Sequence, residues 1–154
     1  TAMQIVQTYS MIANGGTFVR PHLLKAVVDS SGKVIEHRKP VPKTGYAIKP
    51  EVANWLVTKA MVDVVKEGTG KSAALDDVQV FGKTGTANIA SKGQYDESNY
   101  IASFAGGAPA KNPKVVILVS ICKPDKSLKK GYTGGTVAGP VVKEILENTL
   151  NYLK

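Results

Sequence analysis

The spacing of apolar residues changes several times along the chain, and each change marks an element. Ile5, Tyr9 and Ile12 recur at helical spacing behind Thr1-Ala2-Met3-Gln4, a capping-box pattern with Thr1 as N-cap and Gln4 reaching back. The sequence predicts a helix there, ended by Asn14-Gly15-Gly16. From Thr17 to Pro42 the order is Leu23-Leu24, Ala26-Val27-Val28, Asp29-Ser30-Ser31-Gly32 and Val34-Ile35. Two β-prone runs around a turn-rich tetrad make a hairpin. Pro50 suits the first position of a second helix, with Ala53, Val57, Ala60, Met61 and Val64 on one face until Gly68 stops it.

Three strand candidates follow: Val78 to Ala87, Tyr100 to Ala105, and Val115 to Ile121. The last is apolar at six of its seven positions, which predicts a central strand covered on both faces. The polar stretch Asn88 to Asn99 is too long for a tight turn and is expected to be a mobile loop. Gly139-Pro140 opens a last helix with Val142, Ile145, Leu146, Thr149, Leu150 and Leu153 on one stripe. The sum is an α+β fold: an antiparallel sheet with helices packed on its faces.

Length and composition refine this outline. The chain has 154 residues, 43% of them hydrophobic and 21% charged, the balance of one globular domain. It has no apolar run near the ~20 residues needed to cross a bilayer, so a membrane anchor or export signal is expected only in sequence outside it. The net charge of +8 raises the question of nucleic acid, but the 20 Lys and Arg are scattered and no aromatic residues interleave with them. A solvated basic surface with no nucleic-acid partner is expected. Cys122, the one cysteine, excludes an internal disulfide and, closing an apolar run, is expected to be buried and inert. His22 and His37 lack ligand spacing, and neither a metal nor a cofactor is expected.

The chemistry concentrates in Gly82-Lys83-Thr84-Gly85-Thr86-Ala87. A strand at a sheet edge offers free N–H and C=O groups to an extended peptide, and the glycines leave room for its approach. Lys83 brings a positive charge and Thr84 and Thr86 bring hydroxyls, a set suited to a carboxylate. The Thr86 N–H, just past Gly85, is a candidate donor to an oxyanion. The competing explanation is an exposed strand with a solubilising lysine. Gly70-Lys71-Ser72 looks like the end of a phosphate-binding loop, but the residue five positions before Gly70 is Val65 instead of glycine and a helix precedes it.

The context of the motif resembles a known family. Lys-Thr-Gly-Thr lies between Glu67-Gly68-Thr69-Gly70 and Ala102-Ser103-Phe104-Ala105-Gly106-Gly107-Ala108-Pro109. Tyr9-Ser10-Met11-Ile12-Ala13-Asn14-Gly15-Gly16, Arg20-Pro21 and Gly134-Gly135-Thr136-Val137-Ala138-Gly139-Pro140-Val141 flank these in order. The whole chain is similar to the class B penicillin-binding proteins, the serine D,D-transpeptidases of cell-wall synthesis.

The resemblance implies that residues 1–154 are the C-terminal portion of a transpeptidase domain of the β-lactamase/transpeptidase-like fold. Its partners are then the peptidoglycan stem peptide, β-lactam antibiotics and the remainder of the domain, at the extracytoplasmic face of a bacterial membrane. It implies catalytic roles for Lys83 and the Thr86 N–H, and substrate binding by Thr84, Gly85 and Thr86. The family also needs a helix-borne Ser-x-x-Lys and a Ser-x-Asn. Ser30 to Lys33 and Ser127 to Lys130 match the first only in turn or loop context, and no Ser-x-Asn occurs. The nucleophile is therefore expected outside these residues, and the chain alone is expected to be inactive. The alternatives are a non-catalytic interaction module of this fold and a β-lactamase or D,D-carboxypeptidase relative.

Overall fold

A computed structural model describes residues 1–41, 45–91, 93–128 and 131–154. Pro42, Lys92, Lys129 and Lys130, which carry parts of the expectations above, lie outside the described residues.

Helix α1 (Ala2–Ala13) has the predicted capping box, with Thr1 Oγ1 accepting from the Gln4 N–H at 3.3 Å. It ends where Gly15 and Gly16 take positive φ. At Gly16 the chain also crosses Ile48, whose carbonyl a Cβ would strike, so two demands meet at one glycine. Strands β1 (Ala26–Val28) and β2 (Val34–His37) form the predicted antiparallel hairpin. Asp29 holds its turn by accepting from the Ser31 and Lys33 N–H groups at 2.9 and 3.0 Å and from the Ser31 hydroxyl at 2.6 Å.

The second helix begins at Pro50 as α2 (Pro50–Trp55), passes through a π-helical segment at Leu56–Ala60, and continues as α3 (Met61–Lys66). The wider turn advances the buried face, so that Met61, Val62 and Val65 are inside and Val64, an expected core position, is only half-buried.

The main sheet has β3 (Phe81–Ser91), β4 (Gln94–Ala108) and β5 (Val115–Cys122) in the antiparallel order β3-β4-β5. Two expectations fail here. The stretch Asn88 to Asn99 is mostly strand: β3 and β4 run on as a polar hairpin to the pair Ser91–Gln94, with a register shift after Asn88. None of its described side chains is fully buried, so it carries no apolar alternation to read. The apolar run is not the central strand either, because β5 pairs only with β4 among the described residues. Its apolarity reflects the helices α1 and α4 on its two faces. The central strand β4 is built instead from small residues, with Ala102, Ala105, Gly106, Gly107 and Ala108 buried beside one large side chain, Phe104.

Helix α4 (Gly139–Tyr152) follows a π-helical turn at Gly134–Ala138. Its Val142 and Leu146 close a core with Phe104, Val65, Val80 and Ala138 on one side of the sheet. On the other side Phe81 packs with Val57, Met61, Val62 and Ala110, flanked by Tyr9 and Ile12 of α1. Cys122, expected to be buried, is exposed at the end of β5, where the strand leaves the helices behind.

Candidate active site at the free edge of the sheet

β3 pairs with β4 along one edge, and no described strand covers the other. Which backbone groups face that free edge follows from Gly134. A Cβ there would strike the carbonyl oxygens of both Gly85 and Ser103. Gly85 and Ser103 are paired across the strands, so these oxygens lie together between β3 and β4, as in a hydrogen-bonded antiparallel pair. The period of two then turns the N–H and C=O of Thr84 and Thr86 to the free edge.

The side chains of the motif divide between the two faces. Thr84 lies opposite Phe104, and its Oγ1 meets the Thr69 Oγ1 at 2.6 Å. Thr86, on the same face, accepts from the Gly134 N–H at 3.1 Å. Lys83 is exposed, and its Nζ donates to the Thr84 carbonyl at 2.9 Å, drawing the ammonium along the free edge. It makes no ion pair among the described residues, so its charge is available to an anion.

The glycines of the motif serve the sheet. A Cβ at Gly82 would enter the Phe104 ring, and one at Gly85 would come 2.6 Å from the Ser103 Oγ. Their missing side chains accommodate β4 rather than an approaching peptide. Three segments thus interlock: β3, the turn Gly68–Ser72 and the turn Thr133–Gly139. Ser72 Oγ donates to the Gly135 carbonyl, and Gly135 has no room for a Cβ against the Thr69 carbonyl. Thr133 and Thr136 brace the second turn with a reciprocal capping box. Thr69, Gly134 and Ser103 were not singled out as site residues from sequence. The signal was present for Thr69 and Gly134, since Glu67-Gly68-Thr69-Gly70 and Gly134-Gly135-Thr136 place glycines beside hydroxyls as the strand motif does.

Among the described residues no group of three or more His, Cys, Asp and Glu gathers in a metal-binding arrangement. His22 Nδ1 lies 2.9 Å from the Leu24 carbonyl, beside the exposed hairpin.

Residues 1–147 match the family described as penicillin binding protein transpeptidase domain. The chain belongs to that family. It is 36% identical over 151 residues to stage V sporulation protein D of Bacillus subtilis, covering 97% of this chain and 23% of that protein. It is 35% identical over 152 residues to the probable peptidoglycan D,D-transpeptidase PenA of Neisseria flavescens, covering 98% and 34%. Among solved structures it is similar to penicillin-binding protein 3 of Mycobacterium tuberculosis in complex with ampicillin, with a TM-score of 0.83 and 28% identity over 99% of this chain and 35% of that one. The transpeptidase domain of Burkholderia pseudomallei penicillin-binding protein 3 gives 0.80 and 32%, covering 99% and 42%. The α+β arrangement with an antiparallel sheet is thus that of penicillin-binding transpeptidase domains. The chain spans about a quarter to a third of the length of the curated relatives named here.

Proposed function

We propose that this chain supplies the substrate cradle of a serine D,D-transpeptidase that cross-links peptidoglycan, the serine lying in sequence outside these 154 residues. The observation that carries this reading is the free edge of β3, where the Thr86 N–H points outward beside the unpaired ammonium of Lys83. The relatives named as peptidoglycan D,D-transpeptidases support it.

A stem peptide ending in D-Ala-D-Ala lies along this edge in strand fashion. Lys83 and the Thr84 and Thr86 hydroxyls hold its terminal carboxylate, and Gly85 leaves room for Ser103 of β4 on the other face. The serine oxygen attacks the carbonyl of the penultimate residue, and the Thr86 N–H donates to the oxyanion that forms. The C–N bond then breaks, the terminal D-alanine leaves with a proton, and an acyl-enzyme remains for the amine of a second stem. A β-lactam enters the same cradle because its carboxylate and strained amide match the terminal dipeptide. Peptidoglycan lies outside the cytoplasm, so the protein acts at the extracytoplasmic face of the membrane. Among the described residues no helix is long and apolar enough to cross a membrane.

The test is acylation by a fluorescent penicillin of the whole protein that carries this chain. A covalent adduct that forms much more slowly in Lys83→Met supports the proposal. A whole protein that takes up no label refutes it and leaves the non-catalytic interaction module.

A further inference from the structure

The turn before α4 contains a carbonyl that its own helix serves poorly. Residues Gly134–Ala138 wind as a π-helical turn, in which the Gly139 N–H donates to the Gly134 carbonyl. The next donor in that i to i+5 pattern falls at position 140, and Pro140 has no N–H. The regular donors to the Gly135 carbonyl are thus spent or missing. Ser72, on the 3-10 turn Lys71–Ala73, supplies one from across the fold: its Oγ donates to the Gly135 carbonyl from a part-buried position. The hydroxyl fits closely there. A Cβ at Gly139 would strike the Ser72 Oγ, and one at Gly135 would strike the Thr69 carbonyl.

The same turn reaches into the cradle at its other end. The Gly134 N–H donates to the Thr86 Oγ1 at 3.1 Å. Two glycines in succession have little conformational preference of their own, so the contacts at either end set their backbone. One of those contacts is Thr86 and the other is Ser72. A hydroxyl has one proton and two lone pairs, and with a lone pair of Thr86 taken up by the Gly134 N–H its proton remains for a different acceptor. Thr86 is exposed, so that acceptor can come from outside the fold.

We propose that Ser72 is a positioning residue of the cradle. By capping the Gly135 carbonyl that Pro140 leaves unserved, it holds the Gly134 N–H on the Thr86 oxygen and fixes the Thr86 hydroxyl as a donor to the ligand's carboxylate. This rests on the carboxylate position given under the proposed function. Ser72 itself touches no ligand. Its influence runs through one backbone turn to one hydroxyl, which separates it from a residue that merely stabilises the domain.

The experiment follows the second-order rate of acylation by benzylpenicillin in the whole protein, unaltered and as Ser72→Ala, Thr86→Val and the double variant. Thr86→Val keeps the backbone N–H and the branched side chain but has no hydroxyl to orient. Ser72→Ala is expected to slow acylation about three-fold in the unaltered background, the scale of one neutral hydrogen bond, and to add no further loss in Thr86→Val. The rate is read from the molecules that label, so a misfolded fraction lowers the amplitude and leaves the rate untouched. Ser72→Cys, a weaker donor of similar size, runs the same cycle should the alanine variant not fold, with a smaller loss that Thr86→Val again abolishes. Losses that multiply in the double variant, or an unchanged rate in Ser72→Ala, overturn the positioning role and leave Ser72 a structural cap. Failure of the unaltered protein to label overturns the transpeptidase reading itself, so the two failures are distinct.

Discussion

The Thr69 and Thr84 hydroxyls meet at 2.6 Å, and this contact fastens the turn after α3 to the strand that carries Lys83. A hydroxyl has one proton and two lone pairs, so only one member of the pair donates. When Thr69 donates, the Thr84 proton is left free for another acceptor, such as the carboxylate of a bound ligand. On the function proposed above, Thr69 is a positioning residue acting through Thr84. Thr69→Val in the whole protein is expected to slow acylation by benzylpenicillin about five-fold, the scale of one neutral hydrogen bond, and Thr69→Ser to restore it. A valine variant that acylates at the original rate removes Thr69 from the cradle.

Lys83 makes a charge-assisted contact if it holds the carboxylate, and such a contact contributes more than a neutral one. Lys83→Met is expected to lower kcat/KM for acylation by roughly ten- to a hundred-fold. Lys83→Arg keeps the charge but replaces a compact ammonium with a wide planar fork, and is expected to restore the rate only in part. Unchanged acylation in Lys83→Met returns the motif to an exposed strand with a solubilising lysine.

Much of this was legible in the sequence because local chemistry matched tertiary demand. The Thr1–Gln4 capping box, Asp29 in its turn, and Pro50 at a helix start each form from neighbours in the chain. The sheet was read less well. β4 is central, yet its run of alanine and glycine carries almost no apolar contrast. β5 has that contrast and sits at the edge. The site divided in the same way: Lys83 to Thr86 stand out as a string, whereas Thr69 and Gly134 join them only through long-range contacts.

Gly134 offers a test of the interlock independent of catalysis. Its α-carbon sits over the backbone oxygens of Gly85 and Ser103, which cannot move aside without disturbing the β3–β4 ladder. Gly134→Ala is expected to destabilise the domain by about 1–3 kcal/mol, read as a lower denaturant midpoint at constant slope. Gly93, at a hairpin tip with open space around its Cβ position, is the control against a general glycine effect, although its φ of +78° keeps alanine from being free of strain there.

The hairpin turn should respond to acid. The Ser31 hydroxyl, followed by the Lys33 amide, holds the Asp29 carboxyl below its ordinary value. A carboxylate with a lowered folded-state pKa stabilises the turn fully above its unfolded value, and that contribution is lost as pH falls through the folded value. The Ser31 and Lys33 amide resonances should therefore hold steady down to about pH 4 and shift together below it. In Asp29→Asn this transition should be absent, and its persistence would assign the titration to another carboxyl.

The 154 residues by themselves should form no covalent penicillin adduct. A cradle without its serine lacks both the nucleophile and the second oxyanion donor, and loss of one donor alone costs about a hundred- to a thousand-fold in rate. None of the three Ser-x-x-Lys strings substitutes, and the one from Ser120 to Lys123 runs off the end of β5, the strand farthest from the free edge of β3. Ser30 and Lys33 belong to the β1–β2 turn, and Ser127 lies in a single 3-10 turn at Lys126–Leu128. The serine nearest the motif is Ser103, whose Oγ sits against Gly85. It stands on β4, one strand in from the free edge, and on the opposite face from Thr84 and Thr86. A carbonyl at the Thr86 N–H therefore lies beyond its reach. Intact mass spectrometry after incubation with penicillin gives the answer. A stoichiometric adduct mapped to Ser103 would mean that the cradle carries its own nucleophile, and would overturn the division of labour proposed for this chain.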